Sequence, residues 1–157
     1  MAKEEMEARL RELRAAARDR EAKEQAFAEE AAAAREIARR ELDARVAAAL
    51  DENGWRSALD KTMKRVDVDY ADGTPIGVVL MRAPSMPTWR AFVNKIDEAK
   101  GTEKDQLAEK LWRPCLVWPS EPEVEDMIAK QPHVRERLCN AVADMAGVRA
   151  SVIEGKS

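Results

Sequence analysis

Histidine occurs once in these 157 residues, cysteine twice, tyrosine once and phenylalanine twice. A lone His133 excludes clusters of histidine ligands around a metal. Its place just after Pro132, in a first helical turn, fits a surface residue better than the base of a catalytic triad. Cys115 and Cys139 each lie in an apolar setting, and two cysteines make no disulfide framework, so both read as reduced core thiols. Neither sign of charge dominates: 27 basic and 30 acidic residues leave a net charge of −3, which argues against a nucleic-acid or membrane-surface protein driven by bulk charge. No run of eighteen apolar residues occurs, and the start MAKEEMEARL lacks the apolar stretch of a secretory signal. The expectation is a soluble protein made in the cytoplasm. Glycine-rich phosphate loops, GxSxG elbows and CxxC pairs are also missing. Asp67, Asp69, Asp72 and Gly73 suggest a calcium loop only superficially. The third acid falls at the sixth position, the glycine at the seventh, and the twelfth residue is Val78 where a bidentate glutamate is needed. The expectation is a non-enzymatic chain with no cofactor, no metal and no catalytic residues.

What is present divides at about residue 52. Residues 1–50 hold 17 alanines, 11 basic and 12 acidic residues, without glycine or proline, so nearly every position favours helix. A single helix of that length spans roughly 70 Å, beyond the width of a small domain. Met6, Leu10, Leu13 and Ala17 follow 4–3–4 spacing, and so do Phe27, Ala31, Ala34 and Ala38. Arg20 and Glu24 occupy the seam between them, and Ile37, Leu42, Val46 and Leu50 drift to another face, which argues against a sustained leucine-type coiled coil. Two readings stand. One is a solvated helix supported by Glu–Arg pairs along its surface; the other is an alanine-lined arm, residues 1–52, that packs on another chain or self-associates through residues 1–50.

Asn53 and Gly54 end that helix, and residues 53–147 read as a small α+β domain, making the whole chain α+β and mainly α. A helical turn through Leu59 and Met63 is expected first. Val66, Val68 and Tyr70 then alternate with Asp67 and Asp69 as a half-exposed strand, Asp72 and Gly73 turn the chain, and Ile76, Val78 and Leu80 continue as the second strand of a β-hairpin. A hairpin alone is unstable, so the helices that follow must cover it. About four short helices are expected. Trp89, Phe92, Val93 and Ile96 give the clearest amphipathic spacing in the chain. Thr102 with Asp105 caps a further helix carrying Leu107, Ala108, Leu111 and Trp112 inward, until Pro114 ends it. A short extended crossing runs from Cys115 to Trp118. Ser120 and Glu123 then form a capping box around Pro122, opening a helix with Val124, Met127 and Ile128 on one face. Pro132 starts the last helix, with Val134, Leu138, Ala141, Val142 and Met145 inward, and Gly147 is placed to end it. Residues 148–157 read as a C-terminal tail.

The order Val79 to Ser85, then Trp89, Arg90, Ala91 and Phe92, then Leu111 to Pro119, and finally a Pro132 helix ending in Ala146 and Gly147, resembles small tail assembly chaperones of long-tailed bacteriophages and prophages. The likeness covers residues 75–147. It implies a non-enzymatic protein of the host bacterial cytoplasm that binds the tape-measure protein, or another phage tail protein, and keeps that long helical chain soluble while tail-tube subunits assemble. An apolar groove between helices suits such a partner. The competing expectation is a structural or scaffolding component of a phage particle whose N-terminal helix mediates oligomerisation. The candidate partner-binding residues are Trp89, Phe92, Trp112, Leu116 and Trp118, each of which has a plain core reading beside the functional one.

Overall fold

Alanine-rich sequence free of helix breakers forms one 52-residue helix, α1, Ala2–Asn53. The structure, a computed structural model, describes residues 2–155. Gly54 ends α1 in the left-handed region, at φ 68°, so that the Trp55 amide turns back to the Leu50 carbonyl at 2.8 Å. The chain falls into two units, Met1–Arg40 and Glu41–Ser157, rather than dividing at residue 52. The last three turns of α1 belong to the second unit because Val46, Ala49 and Leu50 are buried there.

In the second unit β1, Met63–Asp69, pairs antiparallel with β2, Pro75–Arg82, which pairs antiparallel with β3, Leu116–Trp118. The sheet order is β1-β2-β3. The turn between β1 and β2 forms as the Asp-Gly pair predicts, with Gly73 at φ 87° and Asp72 Oδ1 accepting from the Thr74 amide at 2.9 Å. Tyr70 is in the turn rather than the strand, its amide donating to the Thr74 carbonyl. Before β1 the chain makes single hydrogen-bonded turns, with the Leu59 amide donating to the Trp55 carbonyl and the Thr62 amide to the Ala58 carbonyl, that do not extend into a helix, and Met63 opens the strand.

Alternation along these strands feeds two cores. Val66, Val68, Val79 and Met81 point into the larger one. It is closed by α3, Thr102–Trp112, by α4, Glu121–Lys130, and by α5, Val134–Gly155. Met63, Val78 and Leu80 have the opposite parity and meet Val46 and Leu50 of α1. Both faces of β2 are therefore covered, which is why it carries the unbroken apolar run Val78, Val79, Leu80 and Met81, all at most 1 % exposed. Ion pairs reinforce the α1 side. Arg65 bridges Asp43 and Asp67, and Arg45 forms a two-pronged pair with Glu123 at 2.7 and 2.9 Å. On the opposite face Gly77 leaves the room Met127 fills: a Cβ there would lie 2.4 Å from the Met127 methyl carbon.

Three expected helix boundaries differ in detail. Ser120 precedes α4 but makes no side-chain capping bond, the Glu123 and Val124 amides going instead to its carbonyl. The residue ahead of α3 is Gly101, at φ 59°, and Thr102 is already helical. Gly147 does not end α5. It lacks the left-handed φ that a terminating glycine takes, and the helix runs on to Gly155 in place of a tail from residue 148. Residues 156–157 of that expected tail lie outside the described residues.

Candidate interaction surfaces

Helix α2, Met86–Ile96, starts where Ser85 Oγ accepts from the Thr88 amide at 3.3 Å, with Pro87 in the first turn. Its strong amphipathic spacing predicts a buried face, yet none of its residues is buried. Trp89 and Phe92 are half-covered and stack on each other, ring centroids 5.7 Å apart, and both pack on the rim of the larger core. Val93 is 44 % exposed. Between α2 and α3 runs a cleft of about 190 Å³ with Ala91, Phe92, Leu107 and Leu111 on its walls and Lys95 and Lys110 at its edge. It continues past Leu107 into a second, more polar space of about 350 Å³ beside Glu98, Glu103 and Gln106. The cleft thus has apolar walls and two lysines at its edge, and the adjoining space adds Glu98 and Glu103.

The five candidate contact residues do not make one surface. Trp112 is fully buried, its ring in the larger core and the Arg113 guanidinium 4.9 Å from its centre. Arg113 is in turn paired with Glu125, which holds that guanidinium more firmly protonated. Leu116 packs half-buried against the same core. Trp118 belongs to the other face of the sheet, half-buried against the second core with the Arg45 guanidinium 5.1 Å from its ring. Of the five only Phe92 lines the cleft; Trp89 stacks on it without lining the cleft, and Trp112 is fully buried. The cleft residues not anticipated from sequence are Thr88, Ala91, Lys95 and Lys110. Their signal was in the spacing: Ala91 and Lys95 are one turn apart on the side of α2 next to the aromatic stripe.

Among the described residues no three His, Cys, Asp or Glu side chains converge as metal ligands. His133 is exposed, its Nδ1 3.1 Å from Gln131 Oε1. Cys115 is buried and donates to the Leu111 carbonyl at 3.4 Å, and burial pushes its pKa from 9.0 up to about 11. Cys139 shifts the same way, through burial and then the nearby Glu136 charge. A thiol raised on folding leaves stability intact below pH 9.0 and removes it as pH climbs towards about 11. Near pH 8 the Cys115 thiolate fraction, and with it the rate of reaction with an aromatic disulfide reagent, is expected to be roughly 100-fold below that of the urea-unfolded chain. A fast native reaction at Cys115 would contradict its burial.

The first unit presents a different surface. Met6, Leu10, Leu13, Phe27 and Ile37 are exposed at 60, 45, 63, 75 and 59 %. These large apolar side chains are left in water along the helix. No helix of the described residues is long and apolar enough to cross a membrane. No protein-family model, curated protein or solved structure matches the chain.

Proposed function

We propose that this chain is a non-enzymatic chaperone for an amphipathic helix, acting in a bacterial cytoplasm, and that its partner is the tape-measure protein of a phage tail. The α2–α3 cleft carries this reading. An amphipathic helix with no buried residue flanks an apolar cleft edged by Lys95 and Lys110, which is what a helical client with an apolar stripe and acidic flanks needs. The resemblance over residues 75–147 supplies the identity of that client. Binding would hide the client's stripe without any covalent step, so the chain requires neither cofactor nor nucleophile.

A second reading, a scaffold component that oligomerises through its N-terminal helix, is favoured by the exposed apolar residues of Met1–Arg40. Co-expression of the full chain with the tape-measure protein separates the two. The chaperone reading requires the client to stay soluble and co-purify. Ala91→Glu places a carboxylate on the wall of the cleft at an exposed position. It is expected to weaken capture tenfold or more while moving stability by less than about 0.5 kcal/mol. A client that remains insoluble beside the chain, or capture indifferent to Ala91→Glu, would sink the cleft as its seat.

A further inference from the structure

The arm's heptad seam contains its own complement. Within Met1–Arg40, the positions at alternating spacings of four and three are Met6, Leu10, Leu13, Ala17, Arg20, Glu24, Phe27, Ala31, Ala34 and Ala38. A repeat of 3.5 residues keeps all ten on one seam of a supercoiled helix. We propose that α1 pairs with α1 of a second copy as an antiparallel coiled coil whose two-fold axis passes at the level of residue 22.

In that register each seam residue meets its mirror position on the other helix. Met6 faces Ala38, Leu10 faces Ala34, Leu13 faces Ala31, and Ala17 faces Phe27. Every apolar layer thus pairs one large side chain with one alanine, which keeps layer volume even and lets the helices approach closely. The two charged seam positions fall together: Arg20 of one copy faces Glu24 of the other, twice, on either side of the axis. Their aliphatic stems extend the seam and their charged ends neutralise each other. Arg20 and Glu24, which break a leucine-type pattern when one helix is read alone, become its central layer.

The alternatives lose on the same residues. A parallel pair in register would set Arg20 against Arg20 and Glu24 against Glu24. It would also stack Phe27 on Phe27 and leave the four alanine layers underfilled. Sliding the antiparallel pair by one heptad puts Glu24 against Leu13 or Phe27, leaving a charge in the seam without a partner. On the flanks of the proposed register Glu7 lies opposite Arg35 of the other copy at both ends, while Glu21 and Lys23 meet their own copies at the axis. These flanking charges are solvent-exposed and weak against the seam. The seam also ends at Ala38, just before the residues of α1 that the second unit covers.

Sedimentation and light scattering of the full chain and of charge variants test the register. The native chain is expected at twice its 17.6 kDa mass. Arg20→Glu places two glutamates together on each side of the axis, and Glu24→Arg places two arginines there. Each is expected to weaken dimerisation on the order of 100-fold. The double variant Arg20→Glu/Glu24→Arg restores the dimer, and an equimolar mixture of the two single variants forms a heterodimer. Both positions are exposed on the free helix, so circular dichroism should show unchanged folding. A native chain that stays monomeric up to high-micromolar concentration overturns the proposal. So do single variants that dimerise as tightly as the native chain, the result a parallel pair or another interface would give, or a double variant that stays monomeric. Ala91→Glu, which tests the α2–α3 cleft, is expected to leave the dimer intact, so failure of either surface is read without the other.

Discussion

A chain beginning at Asp51 is expected not to fold, whereas one beginning at Glu41 is expected to keep a cooperative unfolding transition. The difference is ten residues of one uninterrupted helix. Those residues include Val46, Ala49 and Leu50, which are 2, 6 and 5 % exposed, and Leu42, half-buried beside them. At about 1.5–3 kcal/mol for each large side chain withdrawn from water, Val46 and Leu50 alone contribute roughly 3–6 kcal/mol. Their loss also uncovers Met63, Val78 and Leu80 on the sheet face they occupy. The ion pairs of Arg45 with Glu123 and Asp43 with Arg65 go with them. Set against a net stability of about 5–15 kcal/mol for a domain, the loss takes most of what holds the second unit together. The start at Glu41 keeps all of these contacts and removes only residues outside the unit. Thermal unfolding followed by circular dichroism at matched concentration decides it. Two chains with the same midpoint would mean that α1 is not part of the core.

That result bears on what the sequence made legible. Helix propensity over residues 1–50 is uniform, so it located the helix but not the point where its role changes; the change comes at Arg40, fourteen residues before Gly54. The clue was the drift of Leu42, Val46 and Leu50 to their own face, whose meaning depends on a partner surface far along the chain. The same non-local fact explains β2. Its unbroken run Val78, Val79, Leu80 and Met81 follows from cover on both faces, whereas alternation along β1 suggested a sheet covered on one. Local signals did better. The Asp72–Gly73 turn, the start of α4 at Glu121 and its end at Lys130 follow from turn and proline chemistry that acts within a few residues, whereas α2 stops at Ile96, ahead of the Gly101 expected to break it. Gly147 misled because a glycine permits the left-handed conformation without requiring it. For the candidate site, periodicity found the Trp89 and Phe92 stripe on α2. It could not say that the stripe would be only half-covered, because that depends on how α3 lies against it.

Trp112→Ala is expected to destabilise the chain by about 3–5 kcal/mol, the range for removing a buried aromatic and leaving a cavity. Among the described residues it is the largest fully buried side chain. The residue closes α3 where the chain turns through Arg113–Cys115 into β3, so its ring supports a helix end and a strand start together. Its indole nitrogen, however, is buried with no hydrogen-bond partner among the described residues. An unpaired buried donor costs about 1–3 kcal/mol, so part of the tryptophan's packing gain is already offset in the native chain. Trp112→Phe removes that donor along with some volume and is therefore expected to lose only about 1–2 kcal/mol. Urea unfolding measures both variants. A phenylalanine as costly as alanine would mean that the indole nitrogen does find a partner. The same pair separates a core tryptophan from a binding one: at Trp112 both effects are expected in stability, with client capture per folded molecule unchanged for Trp112→Phe. A loss of capture at unchanged stability would instead make Trp112 a contact residue, which its zero exposure excludes unless α3 and β3 separate on binding.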